Sequence, residues 1–205
     1  MAPKPTMYFF VDTETGGLTS ECSLLTFDGT LLDENLNVLE TIAYKIKPDD
    51  GIYHLQAGAL KVNKINIQEH DLGATPMSEA KKQFERWASV TIVEKYSNPT
   101  IIVAGQNVWY DIEMLKKEFC PNWGNYFSRR ILDLQPLSIL FKAAGLMPAE
   151  QRISLSELVK YFNIDIDVEN MHRSDVDVFA SIEIFKKYIR ILQSHPTHGS
   201  QEDNK

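Results

Sequence analysis

The 205-residue chain is poor in cysteine and contains no long apolar segment. Its two cysteines, Cys22 and Cys120, lie far apart and form no Cys-x-x-Cys pair, so a structural zinc site lacks suitably spaced ligands. No apolar run approaches the roughly 20 residues of a membrane span. The first residues, MAPKPT, lack the regions that make up a signal peptide. We therefore expect a cytoplasmic protein with no membrane partner.

Basic residues are also in the minority. The chain carries 21 Lys and Arg residues against 28 Asp and Glu residues, a formal net charge of −7. This balance argues against a protein that coats duplex nucleic acid by neutralising many phosphates. It is compatible with an enzyme that holds a few nucleotides locally. The hydrophobic fraction of 43% and the charged fraction of 24% are those of an ordinary soluble globular protein.

The length suits one domain with a full core. We expect a flexible N-terminus over residues 1–6, a single domain over residues 7–193 and a disordered tail over residues 194–205. Apolar alternation and turn residues predict strands at 7–12, 23–32, 36–47, 100–105 and 130–134. Helical spacing predicts helices at 75–96, 107–119, 136–145, 155–162 and from residue 174 onward. This order predicts an α/β fold in which an antiparallel meander is extended by strands that alternate with helices.

Two acids stand at the end of the first apolar strand, in the segment YFFVDTETGGL (residues 8–18). Asp12 and Glu14 point the same way because side chains two apart in a strand share a face. At an effective dielectric near 20, carboxylates about 4–5 Å apart repel by roughly 3–4 kcal/mol. Solvent, a shared proton or a bound cation can offset that repulsion. Taken alone, the pair fits a solvated loop as well as it fits a site.

Two further acids interrupt apolar helix patterns. Asp111 follows the second apolar strand, where a first-turn acid favoured by the helix dipole is the simpler explanation. Asp177 lies on a mostly apolar side of the last helix, although Ser174-x-x-Asp177 also resembles a weak capping box. His172 comes just before that helix, and a lone histidine is more often structural than catalytic. If these segments converge, four carboxylates meet, and such hard oxygen ligands suit magnesium or manganese better than zinc.

Together these segments resemble the motifs of a known family, the DEDDh (DnaQ-like) 3′–5′ exonucleases. The first motif is present as DTETGGL, the second as NVWYD and the third as HRSDVD, in the family's order and over nearly the whole chain. The resemblance implies a ribonuclease-H-like fold with a mixed central sheet flanked by helices. It also implies that residues 7–193 form one exonuclease domain.

Three positions depart from the family's pattern. Gly16 replaces the usual second threonine of the first motif, Gln106 the usual histidine before the second motif, and Ser174 the usual alanine after the third-motif histidine. Because residues 16 and 174 stay small, we expect altered substrate contacts with the chemistry retained. Asp175 is a rival for the last acidic position, but the spacing from His172 favours Asp177.

The resemblance implies a two-metal phosphodiester hydrolysis. Asp12, Glu14, Asp111 and Asp177 would hold two magnesium or manganese ions (Mg2+ or Mn2+), with Asp111 acting partly through a water. His172 would be the general base, since imidazole exchanges protons near neutral pH. The product would be a nucleoside 5′-monophosphate.

The resemblance also implies a binding surface for the last nucleotide of a single-stranded 3′ end. Its expected members are Thr15, Gly17, Leu18, Asn107 and Tyr110. For Trp109, core packing is the stronger expectation. DNA is the favoured substrate. Two alternatives stay open: an RNA-trimming enzyme of the ribonuclease T or oligoribonuclease type, and a catalytically silent nucleic-acid-binding module on the same fold.

Overall fold

The computed structural model describes residues 4–19 and 21–194. The strands are Thr6–Thr15 (β1), Leu24–Leu32 (β2), Val38–Lys47 (β3), Thr75–Pro76 (β4), Thr100–Gly105 (β5) and Ile131–Asp133 (β6). The α-helices are Ala57–Asn63 (α1), Ile67–Gly73 (α2), Met77–Trp87 (α3), Trp109–Met114 (α4), Leu134–Ala143 (α5), Leu155–Tyr161 (α6) and Ser174–Ser194 (α7). Residues 1–3 and 195–205 of the expected tails lie outside the described residues, and the division into domain and tails stays a prediction.

The strands form one mixed sheet in the order β4-β3-β2-β1-β5-β6. The strands β1, β2 and β3 pair antiparallel, while β5 pairs parallel to β1, β6 parallel to β5 and β4 parallel to β3. This is the predicted antiparallel meander extended by parallel strands. Because the carboxyl ends of β1, β5 and β6 lie at the same edge, residues that follow these three strands are brought together there.

Both faces of the sheet are covered, because neighbouring side chains of β1 point to opposite sides. Phe9 packs into an aromatic core with Phe84 of α3 and Ile112 of α4. Phe10 packs into a second core with residues of α5, α6 and α7, among them Phe185. The α7 helix lies across β1 and β2. No helix among the described residues combines the length and apolar character that a membrane span requires.

Several elements differ from the predicted ones. The β1 strand extends to Thr15, so Glu14 as well as Asp12 lies within the strand. The predicted helix over 75–96 is a two-residue strand, then α3, then a π-helix over Ala88–Lys95. The α4 helix likewise passes into a π-helical turn over Leu115–Phe119. The short helices α1 and α2 were not predicted at all.

Candidate active site

Three carboxylates converge at the carboxyl end of β1. Asp12, Glu14 and Asp177 each place a carboxylate oxygen within 4.8 Å of the others. Asp12 and Glu14 extend toward α7 as the strand's two-residue period predicts, since Phe10 on the same face packs against that helix. Asp177, in the first turn of α7, is buried and reaches them from the helix. The structure therefore gathers three of the four predicted acids into one group.

Asp111 of α4 reaches this group through Thr13 of β1. Its Oδ1 accepts hydrogen bonds from the backbone N–H of Thr13, at 2.9 Å, and from the Thr13 hydroxyl, at 2.6 Å. Thr13 faces away from Asp12 and Glu14 in the strand, so it joins the second acidic segment to the first. Asp111 is buried and stands next to the group without belonging to it.

His172 lies on the loop that enters α7 and has an exposed side chain. Its backbone has a φ of 67°, a left-handed conformation that is uncommon for a residue other than glycine. Its N–H donates to Asp177 Oδ1 at 3.3 Å. The same short segment therefore presents the imidazole and orients the Asp177 carboxylate.

The acids resist ionisation in this arrangement. Burial and the Asp177 and Asp111 carboxylates raise the pKa of Glu14 to about 8. Burial raises the pKa of Asp111 to about 7, although the hydrogen bonds from Thr13 lower it. Burial also raises the pKa of Asp177 to about 6, although the hydrogen bond from the His172 N–H lowers it. For Asp12, burial and the surrounding carboxylates together raise the pKa well above its usual value.

No basic side chain of the described residues compensates the negative charge of the cluster. Within residues 4–19 and 21–194, no Lys, Arg or His forms an ion pair with any of the four acids. A group of carboxylate oxygens with this spacing and no protein counter-charge fits a hard divalent cation. Thiolate and imidazole ligands, which zinc favours, are absent from the group of three.

The glycine turn after β1 is held by the residues expected to bind substrate. The hydroxyls of Thr15 and Tyr110 both donate to the Gly17 carbonyl, at 2.7 and 2.9 Å. Leu18 follows with 83% of its surface exposed. Its N–H bonds to the Gln56 side chain at 3.2 Å. Thr15 and Tyr110 therefore shape the turn, while Leu18 extends from it into solvent.

Asn107 lies on the loop between β5 and α4. It has a φ of 56°, and its N–H donates to Asp133 Oδ1 at 2.9 Å. Its own Oδ1 accepts from the indole N–H of Trp109 at 2.7 Å. The expectation that Trp109 packs in the core is wrong, because 54% of its surface is exposed. The hydrogen bond to Asn107 instead holds the indole at the surface.

Two of the departures from the family's motifs have local explanations. A Cβ on Gly16 would meet the His54 carbonyl oxygen at 2.3 Å, so the threonine that is usual there does not fit. Gly16 also accepts from Gln56 N–H and donates to the Ser23 carbonyl. The Gln106 side chain donates to the Ile153 carbonyl at 2.9 Å, so it ties β5 to the segment before α6.

Sequence reasoning missed Asp28. This residue of β2 lies directly opposite Asp12 in the strand register and is only 9% exposed. Its carboxylate accepts a hydrogen bond from Ser174 at the start of α7, and burial raises its pKa to about 6. The available signal was an acid in the middle of the apolar run LLTFDGTLL, but the pairing register that places it beside Asp12 is not readable from the sequence.

A groove of about 670 Å³ borders the carboxylate group. Glu14 and His172 are among its lining residues. Lys45, Asn63 and Arg173 contribute further polar groups to the lining. The groove is open to solvent, so an extended molecule lying in it would reach Glu14.

The fold has clear counterparts among solved structures, although no family model and no curated protein matches the chain. A zinc-ion-bound complex of Escherichia coli exonuclease I with single-stranded DNA has a TM-score of 0.71 at 21% identity, over 92% of this chain and 42% of the other. A complex of the E. coli enzyme with a 5cy-dT13 oligonucleotide has a TM-score of 0.69 at 20% identity, over 92% and 42%. Exonuclease I from Methylocaldum szegediense has a TM-score of 0.69 at 19% identity, over 94% and 41%.

These similarities confirm the predicted fold, a ribonuclease-H-like mixed sheet flanked by helices. At 19–21% identity they show the fold alone. The chain spans less than half the length of the exonuclease I chains it matches.

Proposed function

We propose that this chain is a DEDDh-type, metal-dependent 3′–5′ exonuclease that removes nucleoside 5′-monophosphates from single-stranded 3′ ends. The observation that carries the proposal is the convergence of Asp12, Glu14 and Asp177 within 4.8 Å. These residues occupy the acidic positions of the family's first and third motifs, on a fold shared with exonuclease I. A silent binding module has no need to assemble three mutually repelling acids, so the cluster favours catalysis over binding alone.

The acids of the cluster are the proposed ligands of two Mg2+ or Mn2+ ions. Asp12, Glu14 and Asp177 would contact them directly, and Asp111, held apart by Thr13, would contribute partly through a water. When bound, the ions supply Lewis-acid activation of water and neutralise charge on the scissile phosphate and its leaving oxygen.

His172 is the proposed general base. Its ring is exposed at the groove, and its segment is tied to Asp177. It would take a proton from the attacking water as the new P–O bond forms. The bond from phosphorus to the 3′ oxygen then breaks, and that oxygen takes a proton from solvent. The products are a nucleoside 5′-monophosphate and a strand shortened by one residue.

The terminal nucleotide is proposed to bind between the glycine turn and α4. Leu18 and Trp109 are exposed apolar groups there. A base would pack against Leu18 and stack on the Trp109 indole, and stacking on an aromatic ring is tolerant of base identity. Thr15, Gly17 and Tyr110 would set the shape of the turn, and Asn107 would contact the nucleotide. DNA is the favoured substrate because the similar structures include complexes with single-stranded DNA and oligodeoxynucleotides.

The test uses 5′-labelled single-stranded DNA and RNA of one sequence, with Mg2+, Mn2+ or a chelator. We expect stepwise shortening of the DNA from its 3′ end that requires metal. Asp12→Asn should abolish it, and His172→Ala should reduce kcat by roughly 100-fold or more, the usual range for losing a general base. Glu34→Gln is the matched acid-to-amide control, since Glu34 is exposed in the turn after β2, at the far end of the strands.

Each alternative gives a different result. Shortening of RNA alone would replace the DNA substrate with the RNA-trimming alternative. Binding of oligonucleotides without metal-dependent release of mononucleotides would indicate the silent module. Full activity of Asp12→Asn would overturn the site itself.

A further inference from the structure

A hydrogen-bonded chain joins β2 to the first residue of α7. Ser174 begins α7 and is 3% exposed. Its hydroxyl donates to the Asp28 carboxylate, and Thr26 Oγ1 lies 2.7 Å from the same Ser174 oxygen. Thr26 and Asp28 are two apart in a strand, so they present their side chains on one face.

The direction of this chain follows from the groups in it. An ionised carboxylate only accepts, so the single proton of Ser174 goes to Asp28. The remaining contact therefore runs from the Thr26 hydroxyl, as donor, to the Ser174 oxygen, as acceptor. The order Thr26 to Ser174 to Asp28 uses the proton of each hydroxyl once.

These three hydrogen-bonded residues adjoin both elements that carry the acidic cluster, β1 and α7. In the β1–β2 register, Asp28 lies opposite Asp12 and Thr26 lies opposite Glu14. Ser174 follows His172 by two residues and precedes Asp177 by three. The strand that pairs with Asp12 and Glu14 thus also holds the helix end that carries Asp177.

The segment around Ser174 requires such a restraint. The left-handed backbone of His172 costs roughly 1–2 kcal/mol and persists only where the surroundings impose it. Its N–H bond to Asp177 couples that backbone to the orientation of the carboxylate. Ser174 is also a departure from the family's third motif, where alanine is usual, so its hydroxyl needs an explanation specific to this protein.

We propose that Thr26, Ser174 and Asp28 form a positioning unit that fixes the first turn of α7, and with it Asp177 and His172, against Asp12 and Glu14. The catalytic consequence rests on the proposed function, but the restraint on the helix start does not. The three residues act through Asp177 and His172 and are positioning residues.

Thr26→Val and Thr26→Ser make the sharpest test. Valine keeps the shape and removes the hydroxyl, whereas serine keeps the hydroxyl, and neither change disturbs the Ser174–Asp28 bond. Ser174→Ala is a stronger variant, but it also leaves the Asp28 carboxylate buried without its donor and is expected to lose stability. Tyr188→Phe is the control, because it removes another buried α7 hydroxyl, bonded to Ser138, about 21 Å along the helix.

Three measurements are made on the full chain: amide hydrogen exchange over residues 172–177, Mn2+ affinity by electron paramagnetic resonance, and steady-state kinetics on the labelled DNA. For Thr26→Val we expect faster exchange in this segment, Mn2+ affinity and kcat each lower by about tenfold, and an unchanged KM. Thr26→Ser should restore all of these. Tyr188→Phe should leave them unchanged while lowering Tm.

Wild-type exchange and Mn2+ affinity in Thr26→Val would overturn the positioning unit, whatever the kinetics. A change shared equally by Tyr188→Phe would also overturn it, since a general loss of stability would then be the cause. An inactive wild-type protein would overturn the proposed function, while hydrogen exchange would still decide whether the unit restrains the helix.

Discussion

Gly16 shows how one residue adapts the first acidic segment to this chain. The His54 carbonyl packs where a side chain would begin, and an added Cβ would lie 2.3 Å from it. We expect Gly16→Ala to destabilise the protein by about 1–3 kcal/mol, as overpacked sites do, because backbone must move. The glycine turn would move with it, so kcat/KM should fall. Calorimetric Tm and exonuclease assays measure the two effects.

Gly58→Ala is the matched control for this substitution. It adds the same methyl group to α1, where nothing lies within 4 Å of the new atom. Alanine is favoured over glycine inside a helix, so Tm should rise slightly or stay constant. Equal stability of the Gly16→Ala and Gly58→Ala proteins would contradict the close packing of the His54 carbonyl against Gly16.

Single residues were predictable where a local pattern specified them. The two-residue period of a strand placed Asp12 and Glu14 together, and the apolar stripe of α7 placed Asp177 toward the sheet. Other residues have bonding partners far away in sequence, as Asp28, Thr13 and Asp133 do. A local hydrophobic period carries no information about such pairs. Gly16 was recognised as a departure, but only the position of residue 54 explains it.

At the scale of elements, the Asp133 carboxylate joins the start of α5 to the Asn107 loop. Asp133 Oδ1 accepts from Gln135 N–H as the cap of α5 and from Asn107 N–H, each at 2.9 Å. Asp133→Ala should cost about 1 kcal/mol for the lost cap. The released Asn107 loop should raise the KM for DNA roughly fivefold, the equivalent of one hydrogen bond.

Asp133→Asn separates this effect from a change of charge. The asparagine amide oxygen accepts the same two hydrogen bonds, so both Tm and KM should stay near their wild-type values. Thermal unfolding and initial rates at varied DNA concentration provide the measurements. A normal KM in Asp133→Ala would mean that the Asn107 loop does not position substrate.

Long elements with a clear hydrophobic period were the predictable ones. The strands β1, β2, β3 and β5 and the helix α7 were found with small errors at their ends. The helices α1 and α2 were missed because seven residues are too few for a stable isolated helix, and tertiary contacts and caps sustain them. In α2, Asn66 provides such a cap by accepting from Gln68 and Glu69 N–H. The two π-helical stretches have the apolar spacing that is typical of an α-helix, so the sequence predicted α-helix there.

At the scale of the whole molecule, the acidic cluster links stability to pH. The pKa values of Glu14, Asp111 and Asp177 rise to about 8, 7 and 6 in the folded protein, from ordinary values of 4.5, 3.8 and 3.8. Below about pH 4 both states hold these protons. Between about pH 4 and pH 8 the folded state keeps protons that the unfolded state has released, so stability falls as pH rises.

We therefore expect the unfolding free energy of the metal-free protein to fall by about 3–4 kcal/mol between pH 5 and pH 8, which is the effect of the Glu14 shift counted alone because the carboxylates titrate together. For a chain of this size that loss lowers Tm by roughly 6–16 °C. Mg2+ binds the ionised carboxylates, so it should raise Tm little at pH 5 and most at pH 8. Glu14→Gln removes one carboxyl group with a raised pKa, so it should weaken the dependence of Tm on pH, whereas Glu34→Gln should not. Scanning calorimetry with chelator or Mg2+ measures this, and a metal-free Tm that rises from pH 5 to pH 8 would contradict the electrostatics of the site.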